Sequence, residues 1–68
     1  MVVKIIELIG SSSKNWEDAV QDALAEAAKT VKNIKSIYVK SCKAKVANNK
    51  ITEYRAVVKI AFVVSRES

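Results

Sequence analysis

Three carboxylates of this sequence stand one helical turn apart: Asp18, Asp22 and Glu26. Residues at i and i+4 share a helix face, and Glu17 lies beside them. Such a row offers the several oxygen ligands that a hard cation such as calcium takes. The plainer reading is a solvated helix face whose acidic half sits near the positive N-terminal end. No EF-hand spacing is present, so a calcium site made from Glu17, Asp18 and Asp22 has to be assembled between chains. A second group is basic: Lys40, Lys43, Lys45, Lys50, Arg55 and Lys59. With Tyr38 and Tyr54 nearby, these could hold phosphate or a single-stranded nucleic acid by charge plus stacking. Only 6% of the chain is aromatic, so the simpler reading is solvated strand residues that discourage edge-to-edge pairing. Trp16 is the only tryptophan. It can stack on a planar ligand or begin a packed helix stripe, and its spacing favours packing. Cys42 has no histidine to activate it and reads as a small gap-filler.

Composition closes other routes. The chain has no histidine, which removes Ser-His-Asp and Cys-His arrangements and leaves no basis for a structural zinc site. One glycine, Gly10, cannot build a P-loop or a dinucleotide-binding turn. A single cysteine makes no internal disulfide and suits a reducing compartment, so a cytoplasmic protein is expected. No stretch approaches the apolar length of a membrane span. Twelve Lys+Arg against seven Asp+Glu give +5, which favours anionic partners, though no run of five or six basic residues occurs.

The elements that position these groups follow from periodicity. Val2 to Ile9 is rich in Val and Ile and reads as a strand, broken by Gly10-Ser11-Ser12-Ser13. A helix is expected from Ser13 to about Val31. Its stripe is Trp16, Ala19, Val20, Ala23, Leu24, Ala27 and Val31, and Ser12, Ser13 or Asn15 can cap it. Ile37 to Val46 and Ile51 to Val64 read as two more strands. Asn48-Asn49 between them tolerates the positive φ of a tight hairpin. The order is strand, helix, strand, strand: an α+β, βαββ chain forming a single domain over residues 1–68.

In the last strand, Thr52, Tyr54, Ala56, Val58, Ile60, Phe62 and Val64 share one face, which the helix can cover. Ile51, Glu53, Arg55, Val57, Lys59, Ala61 and Val63 share the other. No second helix exists to cover that face, although it holds Val57, Ala61 and Val63. Half of the 68 residues are hydrophobic, in a chain below the roughly 70–80 residues at which a lone core suffices. Partner subunits are therefore expected on the open face, making the protein an obligate homo-oligomer.

The opening Met1-Val2, Lys4, Ile6, Leu8 and Gly10-Ser11-Ser12 resembles the start of the dodecins. So do the helix Trp16-Glu17-Asp18-Ala19-Val20-Gln21-Asp22-Ala23-Leu24-Ala25-Glu26-Ala27 and the last strand Ile51-Thr52-Glu53-Tyr54-Arg55-Ala56-Val57-Val58-Lys59-Ile60-Ala61-Phe62. Each motif alone is soft, but their order, spacing and total length make a fairly specific match over nearly the whole chain. The resemblance implies a three-stranded antiparallel sheet partly wrapping one amphipathic helix. It also implies a hollow homo-dodecamer built from trimers that stores a small ligand without turning it over.

Flavin-binding dodecins stack the isoalloxazine ring on a tryptophan at the start of the second strand. They hydrogen-bond its edge through a glutamine in the third. Those positions fall here on Ser36 and Arg55. Serine has no π face, and arginine donates to a carbonyl but cannot accept from a ring N–H. Tyr38 or Tyr54 is then the substitute ring for riboflavin or FMN. Acidic positions on the second strand of some relatives fall on Ser41 and Lys45. The Trp16-Glu17 pair, the missing strand tryptophan and Lys50-Ile51-Thr52 resemble the calcium dodecins, for which Glu17, Asp18 and Asp22 are the nearest carboxylates. Basic surfaces at subunit junctions suit phosphate-bearing cofactors such as FMN or coenzyme A. The expected protein is a non-enzymatic, dodecin-like homo-dodecamer that sequesters a small ligand or ion between subunits. A flavin-storing dodecin with altered ring contacts is the nearest alternative, and a small basic nucleic-acid-binding module is the alternative of another class.

Overall fold

Asn48 and Asn49, with φ of 53° and 63°, turn the chain in two residues. Positive φ at both positions matches the twist of a right-handed hairpin. The computed structural model describes residues 2–64 and contains β1 (Val2–Ser12), α1 (Trp16–Ala28), β2 (Ile34–Ala47) and β3 (Lys50–Val64). The sheet order is β1-β3-β2, and both pairings are antiparallel. The order of elements is the βαββ pattern expected from the sequence, with β3 in the centre.

The helix is shorter than the Ser13–Val31 expectation. Asn15 takes an extended conformation and its Oδ1 accepts the Asp18 N–H at 2.6 Å. That fixes the first turn after Ser12 and Ser13, because the Ser12 hydroxyl is already committed to the Lys14 N–H at 2.9 Å. At the other end the Ala27 carbonyl accepts from both Thr30 and Val31. These β-branched residues lose rotamer freedom in a helix, and Asn33, with φ of 63°, then redirects the chain. The Asn33 carbonyl accepts the Val63 N–H at 3.1 Å, so β2 starts at Ile34 rather than Ile37.

Gly10 does not break the first strand, contrary to the sequence expectation. Strand β1 continues to Ser12, where it pairs with Tyr54. Gly10 is instead a point of close approach between helix and sheet. A Cβ there would overlap the Ala19 carbonyl and lie 2.9 Å from the Ala23 Cβ.

Among the described residues the buried hydrophobic side chains are Ala19, Ala23, Ala27, Ala56, Val58 and Ile60. Ile6, Leu8, Val20, Leu24, Ile34 and Ile37 pack against them. The alternation of β3 thus faces the helix as predicted. Four of these six buried residues are alanine, so the core is thin. The chain measures 57 × 19 × 12 Å with a radius of gyration of 14.2 Å, against about 11 Å for a compact chain of this length. It exposes 5191 Å², whereas a compact monomer of its mass exposes about 4,200 Å².

Two lysines mark irregularities in β2. The register skips Lys35 between Ile34 and Ser36, and Lys40 between Val39 and Ser41. Each is an extra residue opposite β3, which bends the strand. After each bulge the apolar residues return to the helix side.

Candidate functional site

The outward face of the sheet can be read as rows across β1, β3 and β2. The register gives Ile5–Ala61–Ser36, Glu7–Lys59–Tyr38, Ile9–Val57–Ser41 and Ser11–Arg55–Lys43, followed by the pair Glu53–Lys45. Directly opposed residues in an antiparallel pair project to the same side. The face is apolar along β1, where Val3 is 55%, Ile5 62% and Ile9 64% exposed. It turns charged toward the β2–β3 turn.

All four sequence-predicted ligand residues, Ser36, Tyr38, Arg55 and Lys45, lie on this face. One chain does not bring them together: Ser36 sits opposite Ala61, six residues along β3 from Arg55, or about 20 Å at strand spacing. Tyr38 is 63% exposed and free to stack. Tyr54 is not. It points to the helix side, where its ring meets Trp16 edge-on with centroids 4.9 Å apart. Trp16 also donates its indole N–H to the Lys43 carbonyl at 3.0 Å. The lone tryptophan therefore pins the helix start to the β2–β3 hairpin, in agreement with its place in the apolar stripe.

The carboxylates occupy the other side of the molecule. Asp18 accepts from the Ser12 hydroxyl at 2.7 Å, and Asp22 accepts from the Ser11 N–H at 3.3 Å. Both tie the end of β1 to the helix. Asn15, Glu17, Asp18 and Gln21 line a shallow, open concavity at the helix start. Among the described residues no cluster of three or more Cys, Asp or Glu converges as a metal site would require.

Sequence reasoning missed two arrangements here. Glu7 pairs with Lys40 (Oε2–Nζ 3.5 Å) across the central strand and stands opposite Lys59. Lys43 lies directly opposite Arg55. Both depend on the bulge at Lys40, which strand alternation does not reveal. Arg55 is also held by Glu53 on its own strand (Nε–Oε2 3.4 Å).

Comparison with known proteins agrees with this geometry. The family model for dodecin matches residues 2–65. The dodecin of Thermus thermophilus is 34% identical over 61 residues, covering 90% of this chain and 88% of that protein. A crystal structure of a variant of the same dodecin superposes with a TM-score of 0.92 at 32% identity, covering 96% of this chain and 97% of the other. Calcium dodecin from Mycobacterium tuberculosis, a calcium-chelating antigen with a novel calcium-binding site, superposes with a TM-score of 0.84 at 29% identity. That match covers 100% of this chain and 97% of the other. Dodecin from Streptomyces davaonensis shares the fold (TM-score 0.91) at 15% identity. The βαββ chain with its open sheet face belongs to the dodecin family.

Proposed function

We propose that this protein is a non-enzymatic binding protein that assembles into a hollow homo-dodecamer and sequesters a small ligand between its copies. The observation that carries the reading is the uncovered apolar face of β1 and β3, centred on Ile5, Ile9, Val57 and Ala61. The surface excess over a compact monomer is on the order of 1,000 Å², close to what one partner contributes to a standard interface. Contacts between copies supply the cover that the thin alanine core lacks. Residues 1–68 then act as one folding unit within a shell, in a reducing compartment such as the cytoplasm where the exposed Cys42 stays a thiol. Among the described residues no helix is long and apolar enough to cross a membrane.

The ligand site is the outward face, where neighbouring copies bring Ser36 and Tyr38 of one chain toward Arg55 and Lys45 of another. Tyr38 supplies the exposed ring on which a flavin or another planar group stacks in place of the tryptophan of flavin dodecins. A second reading rests on the acidic concavity at the helix start and the calcium-binding relative. In it Glu17, Asp18 and Asp22 share a calcium ion with a neighbouring copy. Native mass spectrometry tests the assembly: the expected species is twelve times the 7.5 kDa chain, and a stable folded monomer at micromolar concentration refutes it. Titration with riboflavin and FMN, followed by flavin fluorescence, tests the first site. Calorimetry with calcium tests the second, and a flat isotherm eliminates it.

A further inference from the structure

The helix buries the inward side of β3 but leaves that of β2 open. The register sets Ile37, Val39, Cys42 and Ala44 opposite Ile60, Val58, Ala56 and Tyr54, so all four project to the helix side. Ile60, Val58 and Ala56 are fully buried, whereas Val39 and Cys42 are exposed. No charge interrupts the row. Lys40 bulges out of it, and Lys43 and Lys45 oppose Arg55 and Glu53 on the other face. The flank of α1 forms the second wall of a groove along this row. At one end Leu24 and Ala28 of α1 line an open cleft with Ile34 and Ile37, and Lys35 lines the same cleft. Glu17 precedes Leu24 by two helical turns, so it lies on the same side of the helix. Its neighbour Trp16 is anchored to the Lys43 carbonyl, which puts Glu17 at the other end of the groove. Asp18 and Asp22 turn instead to β1, where they bind Ser12 and Ser11. The groove is therefore apolar along its length, with a cation at one end and a carboxylate at the other. Among the described residues neither Lys35 nor Glu17 enters an ion pair.

We propose that the groove between α1 and β2 is covered by the same groove of a second copy, laid across it antiparallel about a two-fold axis. In such a contact residue i of one copy meets residue j of the other, and j meets i. Glu17 of each copy then meets Lys35 of its neighbour, so one pairing neutralises both ends. The middle of the row, Val39 and Cys42, packs against its own counterpart. A parallel arrangement sets lysine against lysine and carboxylate against carboxylate, which costs affinity. Charge thus fixes the direction, and the apolar row supplies the area. The proposal rests on the assembly reading above and adds a second contact to it. A cage built from trimers needs two kinds of contact, one to close each ring of three and one to join the rings. The apolar face of β1 and β3 is one surface for this. The groove opens on the opposite side of the sheet, so a single copy can engage both at once.

Cys42 lies at the centre of the groove and reports whether it is covered. In the intact protein the thiol reagent DTNB is expected to modify Cys42 at least about tenfold more slowly than after denaturation, because a thiol reacts only where the reagent reaches it. Glu17→Lys and Lys35→Glu each set like charges together at both ends of the contact. Each is expected to raise the concentration at which copies separate by at least about tenfold, with Cys42 becoming reactive. The double exchange restores opposite charges and should restore both readings. Glu17 and Lys35 are exposed in the chain, so neither change touches the core. Single variants that assemble as before, or a double exchange that fails to rescue them, overturn the proposal. Native mass spectrometry of the same samples separates it from the dodecamer. An assembly of twelve with fully reactive Cys42 refutes the groove contact alone. Pairs of copies with a protected Cys42 that grow no further refute the dodecamer alone. A monomer with a protected Cys42 shows that something other than a second copy fills the groove and overturns the proposal.

Discussion

Gly10 of β1 faces Ala23 of α1 so closely that a methyl group on the glycine would lie 2.9 Å from the alanine Cβ. The same methyl would overlap the Ala19 backbone carbonyl, which cannot swing aside as a side chain can. Gly10→Ala is therefore expected to push the helix off the sheet and to cost about 1–3 kcal/mol, the usual range for overpacking. Denaturant unfolding followed by circular dichroism measures it, and an unchanged midpoint counts against the close approach.

Trp16 joins three elements through one ring. Trp16→Phe keeps an aromatic ring near Tyr54 but removes the donor to the Lys43 carbonyl, and a loss of about 1 kcal/mol is expected. Trp16→Ala removes the edge-on ring pair as well, and a larger loss of about 2–3 kcal/mol is expected for a ring still 40% exposed. Thermal unfolding of the two variants should rank them in that order. Equal melting temperatures would show that the hydrogen bond carries the whole effect.

Asn15 sets where the helix begins. Replacing it by alanine leaves the Asp18 N–H without its side-chain acceptor, at an expected cost of about 1 kcal/mol. Asn15→Asp should be nearly neutral, since aspartate caps as well as asparagine does. Chemical denaturation of both variants separates capping from any other role of the side chain.

Ile5 and Ile9 project away from the helix and are more than half exposed in the chain. Ile5→Asp or Ile9→Asp leaves the core of Ala56, Val58 and Ile60 intact but places charge on the face assigned to neighbouring copies. Both variants are expected to shift the assembly to smaller species. Their melting temperature should also fall, as linkage between folding and association requires. Light scattering that shows an unchanged assembly would exclude this face from the interface.

Much of this fold was legible because its local signals agree. The stripe from Trp16 to Ala27, the alternation of β3 and the Asn48-Asn49 turn each point to one structure, and the inward set of Ala56, Val58 and Ile60 follows from period two alone. Gly10 misled because a glycine in a strand reads as a break when its helix neighbour is unknown. Lys35 and Lys40 hid the pairing of β2, since a bulge shifts the faces by one residue and leaves no mark in a run of mixed Val, Ile, Lys and Ser. The opposition of Lys43 and Arg55 depends on that shift. Ser36 and Arg55, which the resemblance assigns to one site, stand at positions six residues apart along β3, about 20 Å of strand, a separation that the motif match does not reveal.

The order β1-β3-β2 has a consequence for biosynthesis. β3 is the last of the four elements to be made, yet it is the only strand that either other strand pairs with. While a ribosome adds residues 50–64, at roughly 5–20 residues per second, β1 and β2 remain without a ladder for a second or more. The nascent chain holds an apolar Val2–Ile9 segment exposed throughout that interval. The Asn48-Asn49 hairpin then closes in about 1–10 μs and offers β3 to β1. The sheet thus cannot form before β3 is made, and a chain cut at the start of β3 leaves both earlier strands unpaired at once.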